Sequence, residues 1–574
     1  MSRRVIPFLL VPLLAACAAH PVATSGTAAP VSATAKPAAK ADDDVAYKPF
    51  PTDTMQSLLT AEFAALRQRP EVTLDNYLEQ ARKTRDPGVV ARATTIAQVL
   101  NQPQSLEMSK LWTDVAPDAA DAWYLLSLNS LRQLRFDIAM PALEHLLKLQ
   151  PEADLEQLFL AAIPTTQPAR DELFNKLGQL AKSHPDNAYL LFGQALLQAQ
   201  SGKPAEALAI ARDAHALRPQ SSQITLLEAK MLTELSRSKE AAELLADAVK
   251  KQPESYSLRL NYGRALIRAN DLNGAEREFQ TLVSKTPNDD GLRLSLALIA
   301  FDNHHDDVAR RELEALQDSE AHSDEASYYL GLLALRANDK PGAMSAFEGV
   351  QPGAQYLPAL AEIARLLVAD GHADEARSRL AQARAQTPEL QVPLYQLEAE
   401  LLSETGQTQA AWSLLDEALQ GQPDNPQLLL SRAMAAERLN RLDDFEADMR
   451  EVLRYEPDDP SALNALGYTL ADRTNRLDEA EGYVRRAYAL KPDDPAIIDS
   501  LGWIKFKRGD SSGALDDLRR AYALYPDDEI AAHLGEVLWS TGKRDEARRV
   551  WAEALRQHPK SEHIPQTRQR LDPS

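Results

Sequence analysis

Small and apolar residues recur along this chain of 574 residues in step with its prolines. Pro117, Pro151, Pro185, Pro219, Pro253 and Pro287 stand 34 residues apart, and Pro388, Pro423, Pro457, Pro492, Pro526 and Pro559 follow at intervals of 33 to 35. Ahead of each proline, small or apolar residues hold fixed offsets: Ala207 and Ala214 before Pro219, Ala275 and Leu282 before Pro287. In the clearest intervals a Leu-Gly pair comes first, as in Leu501-Gly502, Ala514, Leu518, Ala521, Pro526 and in Leu534-Gly535, Ala547, Trp551, Ala554, Pro559. Each interval predicts a helix, a turn and a second helix. Small Gly or Ala lets the two backbones approach, Leu, Phe or Trp fills the space between them, and proline ends the second helix because it cannot continue the hydrogen-bond ladder. Gly202, Gly371, Gly406, Gly509 and Gly542 fall at the turns, where glycine tolerates a left-handed backbone. No segment reads as a strand.

A 34-residue helix-turn-helix unit is the tetratricopeptide repeat. Counting weaker units from about Met55 onward, the expectation is an all-α tetratricopeptide-repeat superhelical solenoid of about fifteen repeats over residues 49–574, ending in a C-terminal cap. In such an array each repeat buries its apolar face against its neighbours.

The first residues follow other rules. Arg3 and Arg4 precede an apolar run from Val5 to Leu14, which leads into Ala15-Ala16-Cys17, the only cysteine in the chain. With a single cysteine there is no partner for a disulfide or a metal cluster. The run is too short to span a bilayer. The segment resembles a bacterial lipoprotein signal at 1–16, and that resemblance implies that Cys17 becomes the acylated first residue of the mature chain. Two or more acyl chains anchor a protein stably. Ala18, where an aspartate would retain a lipoprotein in the inner membrane, directs the expectation to the outer membrane, on its periplasmic face. From Cys17 to residue 48 the chain is rich in Ala, Pro, Thr and Ser with almost no large apolar residue, which reads as a disordered tether.

Charge narrows the partners. The formal net charge is −21, and it becomes more negative once Arg3 and Arg4 leave with the signal. Nucleic acid is excluded as an expected partner, because binding it normally takes a basic surface. Candidate chemistry is sparse. His304-His305-Asp306-Asp307 reads as the polar turn of a repeat, not as a metal site. Asp458-Asp459, Asp493-Asp494 and Asp527-Asp528 each follow a proline and read as helix N-caps, since Asp accepts hydrogen bonds from the free N–H groups of the next helix. Without a phosphate loop, a metalloprotease motif or a free cysteine nucleophile, the expectation is a non-enzyme with no cofactor and no metal. A basic ladder for clamping a peptide carboxylate is confined to the trace Asn261, Arg264 and Arg268. Aromatic residues just after the Leu-Gly position gather in the last repeats. Tyr468, Trp503, Phe506 and Trp539 are therefore the candidate partner-binding residues, as aromatics are over-represented in binding hot spots.

The segments Leu463–Ala480, Asp499–Asp510 and Ala531–Ala547 resemble the C-terminal part of a family of Gram-negative outer-membrane tetratricopeptide-repeat lipoproteins, and Thr84–Ala97 resembles that family's N-terminal repeat. The resemblance is to its LbcA-like type. It implies an adaptor that binds and activates a periplasmic carboxyl-terminal processing protease and presents peptidoglycan-hydrolase substrates to it. The alternative function is an assembly scaffold for polysaccharide export, a pilus or another envelope complex.

Overall fold

A computed structural model of the chain describes residues 50–571; the signal at 1–16, Cys17 and the tether lie outside the described residues. Among the described residues there are 31 α-helices and no strand. Taken in order along the chain, thirty of them make fifteen successive helix pairs, from Thr52–Leu66 with Pro70–Thr84 to Asp528–Ser540 with Arg544–Gln557. The remaining helix, His563–Leu571, packs against Asp528–Ser540 and caps the array. The chain divides into two compact units with the boundary between Ala326 and Ser327.

The proline period has a local cause. Proline drives the residue before it out of the helical region. At all twelve periodic prolines the preceding residue is the C-cap of the second helix, with φ between −121° and −148° and ψ between 64° and 105°. The helix therefore stops at the same place in every such unit. The five turn glycines adopt φ from +71° to +90°. Among the described residues nine others, Ser236, Asn270, Asn338 and Asn440 included, take the left-handed conformation without glycine. The interval from Pro457 to Pro492 is 35 residues: the helix Pro460–Arg473 has fourteen residues where Pro495–Lys507 has thirteen, and the chain leaves it through an extended Thr474, φ −135°.

Between the paired helices, small residues face large ones. A Cβ placed on Gly263, Gly331, Gly502 or Gly535 would stand 2.7, 2.5, 2.8 and 2.0 Å from the side chains of Phe279, Phe347, Leu518 and Trp551. Each partner lies sixteen residues downstream. Gly467 meets Val484 at 2.5 Å, seventeen residues on, its first helix being one residue longer. The alanines and leucines of the sequence pattern are buried, Ala207, Ala214, Ala275, Leu282, Ala514, Leu518, Ala521, Ala547 and Ala554 among them. Within each unit they belong to the apolar faces by which one repeat packs on the next.

Two irregularities interrupt the pattern. In the first unit, Glu156–Leu160 is a helix of only five residues, followed by Gln167–Ser183 with seventeen. Pro164 and Pro168 break the chain here, and the buried Phe159 ring covers Gly193 at 3.0 Å from where a Cβ would sit. Between Pro287 and Pro388, where the proline phase is lost, the second helices Asp306–Glu314 and Lys340–Glu348 have nine residues in place of the usual fourteen. No helix among the described residues is long and apolar enough to cross a membrane.

Candidate functional site in the C-terminal repeats

Three consecutive first helices, Pro460–Arg473, Pro495–Lys507 and Asp528–Ser540, bring the candidate aromatics together in the second unit. Their starts are set by the aspartates read as caps. Asp459 accepts from the N–H groups of Ser461 and Ala462 at 2.7 and 2.8 Å, Asp494 from Ala496 at 3.0 Å, and Asp527 from Glu529 at 3.0 Å. Proline at the first helical position of two of these helices adds a preset φ without losing a needed donor.

Trp503 is 2% exposed. Its indole stacks on His533 with centroids 4.2 Å apart and planes 23° apart, and its Nε1 donates to Asp472 Oδ1 at 3.1 Å. Lys507 Nζ lies 5.0 Å from the centre of the same ring. Trp539 is 9% exposed, 5.8 Å from Trp551, with the guanidinium groups of Arg544 and Arg548 at 5.0 and 5.1 Å. Trp503 is therefore packed between repeats, and Trp539 within its own. Tyr468 and Phe506 are half-buried and keep part of their rings at the surface.

Beneath Tyr468 lies a buried polar group that the sequence reading did not single out. Tyr468 donates its hydroxyl hydrogen to Glu529 Oε1 at 3.0 Å, so its oxygen is left to accept from His533 Nε2 at 3.2 Å. On the other side of the ring, His533 Nδ1 lies 2.8 Å from Asp499 Oδ2. Both ring nitrogens then face acceptors, an arrangement that only the imidazolium satisfies fully. Burial opposes charge on His533, but Asp499, Glu529 and Asp472 together outweigh it and raise its pKa. Burial, reinforced by Glu529, Asp472 and Asp499, also pushes the Tyr468 hydroxyl far above the ordinary tyrosine range, so it stays a donor.

The sign of the resulting pH dependence follows from linkage. A histidine with a raised folded pKa contributes its stability fully below the unfolded value, 6.5, and loses that contribution as pH rises through the folded value. Stability of the second unit should fall as pH rises above about 6.5, and His533→Gln should flatten the fall. Urea unfolding at a series of pH values checks this. An equal fall in the variant would remove His533 as its source.

Above this group opens a groove of about 470 Å³. Asn464, Ala465 and Tyr468 form one side, Asp499, Pro495 and Ser500 the floor, and Tyr525, Asp527, Glu529 and Ile530 the other side. Four of its lining residues are acidic, counting Asp494, and none is lysine or arginine. Asp499 is 5% exposed, and its second oxygen, Oδ1, accepts no hydrogen bond from the protein. Neither does Asn464 Oδ1. The sequence carried one signal for this pair: Asn464 and Asp499 both stand three residues before the glycine of their repeat.

The other candidates are placed as follows. His304 is the left-handed residue of its turn, φ 59°, and His305 Nδ1 pairs with Glu276 at 2.7 Å. Asp306 and Asp307 begin the next helix, which agrees with the turn reading. Asn261 donates to the carbonyl of Ser257 in its own helix at 2.8 Å, so its amide is already engaged.

Models of the tetratricopeptide repeat match residues 175–222, 232–299, 294–358, 397–452, 446–495 and 500–562. The chain is 41% identical over 491 residues to "TPR repeat-containing protein PA4667" of Pseudomonas aeruginosa, covering 85% of this chain and 83% of that protein. Among solved structures it is similar to the Naa15/Naa10 complex bound to HypK-THB, with 13% identity, 88% of this chain and all of that chain covered, and a TM-score of 0.33. MamA from Desulfovibrio magneticus RS-1 matches 30% of this chain and 97% of its own at 17% identity, with a TM-score of 0.26. By its repeat models and its Pseudomonas relative, this chain belongs to the tetratricopeptide-repeat proteins.

Proposed function

We propose that the chain is a lipid-anchored adaptor on the periplasmic face of the outer membrane, which holds a carboxyl-terminal processing protease and its peptidoglycan-hydrolase substrates together. Tetratricopeptide-repeat proteins bind protein partners, and the observation that carries the reading here is the open groove across three first helices at 460–540, in the segments whose sequence resembles the adaptor lipoproteins. An adaptor needs no catalytic group of its own. It acts by raising the effective concentration of one bound partner near another, which multiplies encounter without new chemistry. Anchoring through Cys17 confines that encounter to the membrane surface, where cell-wall hydrolases work.

Two linked measurements test the reading. Cys17→Ser should move the protein from the membrane to the soluble fraction or leave it unprocessed, and mass spectrometry of the mature N-terminus should find acylated Cys17 in the parent. Affinity isolation from detergent-solubilised envelopes should then recover a processing protease together with a hydrolase. Recovery of export or pilus components alone would favour the assembly scaffold.

A further inference from the structure

We propose that the groove of the second unit recognises a basic side chain, lysine or arginine, on an extended segment of a partner protein. This rests on the reading that the repeats bind protein partners, and it names the chemistry of what this part of them takes.

Two acceptors point to it. Asp499 Oδ1 and Asn464 Oδ1 are buried oxygens without a hydrogen bond from the protein, and both line the groove. They occupy the same position in consecutive repeats, three residues before Gly502 and Gly467. Oxygens of this kind take donors, so the complementary group is one rich in N–H. His533 holds the other Asp499 oxygen at 2.8 Å, which fixes the carboxylate and leaves Oδ1 as its free acceptor.

Charge agrees in sign. Asp494, Asp499, Asp527 and Glu529 line the groove without any lysine or arginine among them, and a charged His533 beneath cancels only one of the four. A client's terminal carboxylate is repelled by such a site, whereas an ammonium or guanidinium group is drawn in. The walls suit the stem of the same side chain. The Tyr468 ring, Pro495 and Ile530 are apolar surfaces along which a lysine or arginine lays its methylene groups while its head reaches the carboxylates.

The test uses the purified full-length chain in detergent and fluorescent dodecapeptides of alternating leucine and serine, N-acetylated and C-amidated. One peptide carries a central lysine and its twin carries norleucine, which keeps the stem and removes the charge. Anisotropy titration should show the lysine peptide binding at least tenfold tighter. Asp499→Asn should cut that preference to less than about threefold, and Asn464→Leu, which leaves the His533 pair intact, should also reduce it. Asp545→Asn, outside the groove, should keep it whole. Melting curves of each variant separate lost binding from lost folding. Equal affinity for the two peptides overturns the proposal. So does a lysine preference that survives both groove substitutions. No protease takes part, so a failure here leaves the adaptor reading standing, and a failure of the adaptor reading leaves this result intact.

Discussion

Gly535→Ala should destabilise the C-terminal end of the chain by about 2 to 4 kcal/mol, while Gly482→Ala should leave stability unchanged or raise it by up to about 1 kcal/mol. The two substitutions add the same methyl group to a helix. They differ in what that group meets. At Gly535 it would stand 2.0 Å from Trp551 Nε1, and Trp551 is among the largest fully buried side chains of the protein. The indole must leave its slot between Asp528–Ser540 and Arg544–Gln557, and overpacking of a core costs about 1 to 3 kcal/mol before the displaced ring's own contacts are counted. At Gly482 nothing lies within 4 Å, so only the gain in helix propensity remains. Because repeats couple chiefly to their neighbours, the loss at Gly535 should stay local. Hydrogen exchange should show reduced protection over about 528–571 in Gly535→Ala and none of it in Gly482→Ala. Similar behaviour of the two variants would mean that close helix approach is not what glycine provides at 535.

Much of this fold is legible because its governing residues act locally. Proline fixes the backbone of the residue before it, so twelve helix ends can be read directly from the letters. The turn glycines are legible for the same reason. The nine left-handed residues that are not glycine are less so, since Gln68, Arg85 and Leu134 share a conformation that their side chains do not advertise. The pairing of a small residue with a large one sixteen places later is also in the sequence, and it accounts for Gly535 with Trp551 and Gly331 with Phe347 alike. What breaks the period is harder to foresee. The five-residue helix Glu156–Leu160 is not announced by the period, although its Phe159 meets Gly193 one repeat on.

The site divides along the same line. Sequence position placed Tyr468, Trp503, Phe506 and Trp539 correctly on first helices, after the Leu-Gly position. It did not say that His533, thirty residues beyond Trp503, would stack on that indole and take it out of reach of a partner. Exposure is decided by the next repeat, not by the residue itself. Asp499 went unread for a related reason. An aspartate in a helix resembles any solvated acid until burial and the His533 contact single it out. Its register match with Asn464 was visible, and a comparison of equivalent positions across repeats would have exposed the pair.

The adaptor reading has the largest expected effect on activity, because joining enzyme and substrate on one scaffold can exceed either separate affinity by two to four orders of magnitude in avidity (about 10²- to 10⁴-fold). The gain should be greatest when protease and hydrolase are dilute and should fade as free substrate approaches saturation, since proximity adds nothing once every protease is occupied. It should also depend on both partners being held at once, so an excess of the chain should lower the rate by separating them. The direct measurement is cleavage of a purified peptidoglycan hydrolase by a purified carboxyl-terminal processing protease, followed with and without the full-length chain in detergent. The account predicts at least tenfold faster cleavage with the chain at dilute concentrations, a maximum at an intermediate amount, and no cleavage by the chain alone. Equal rates with and without it would contradict the adaptor reading and leave assembly of an envelope complex as the better one.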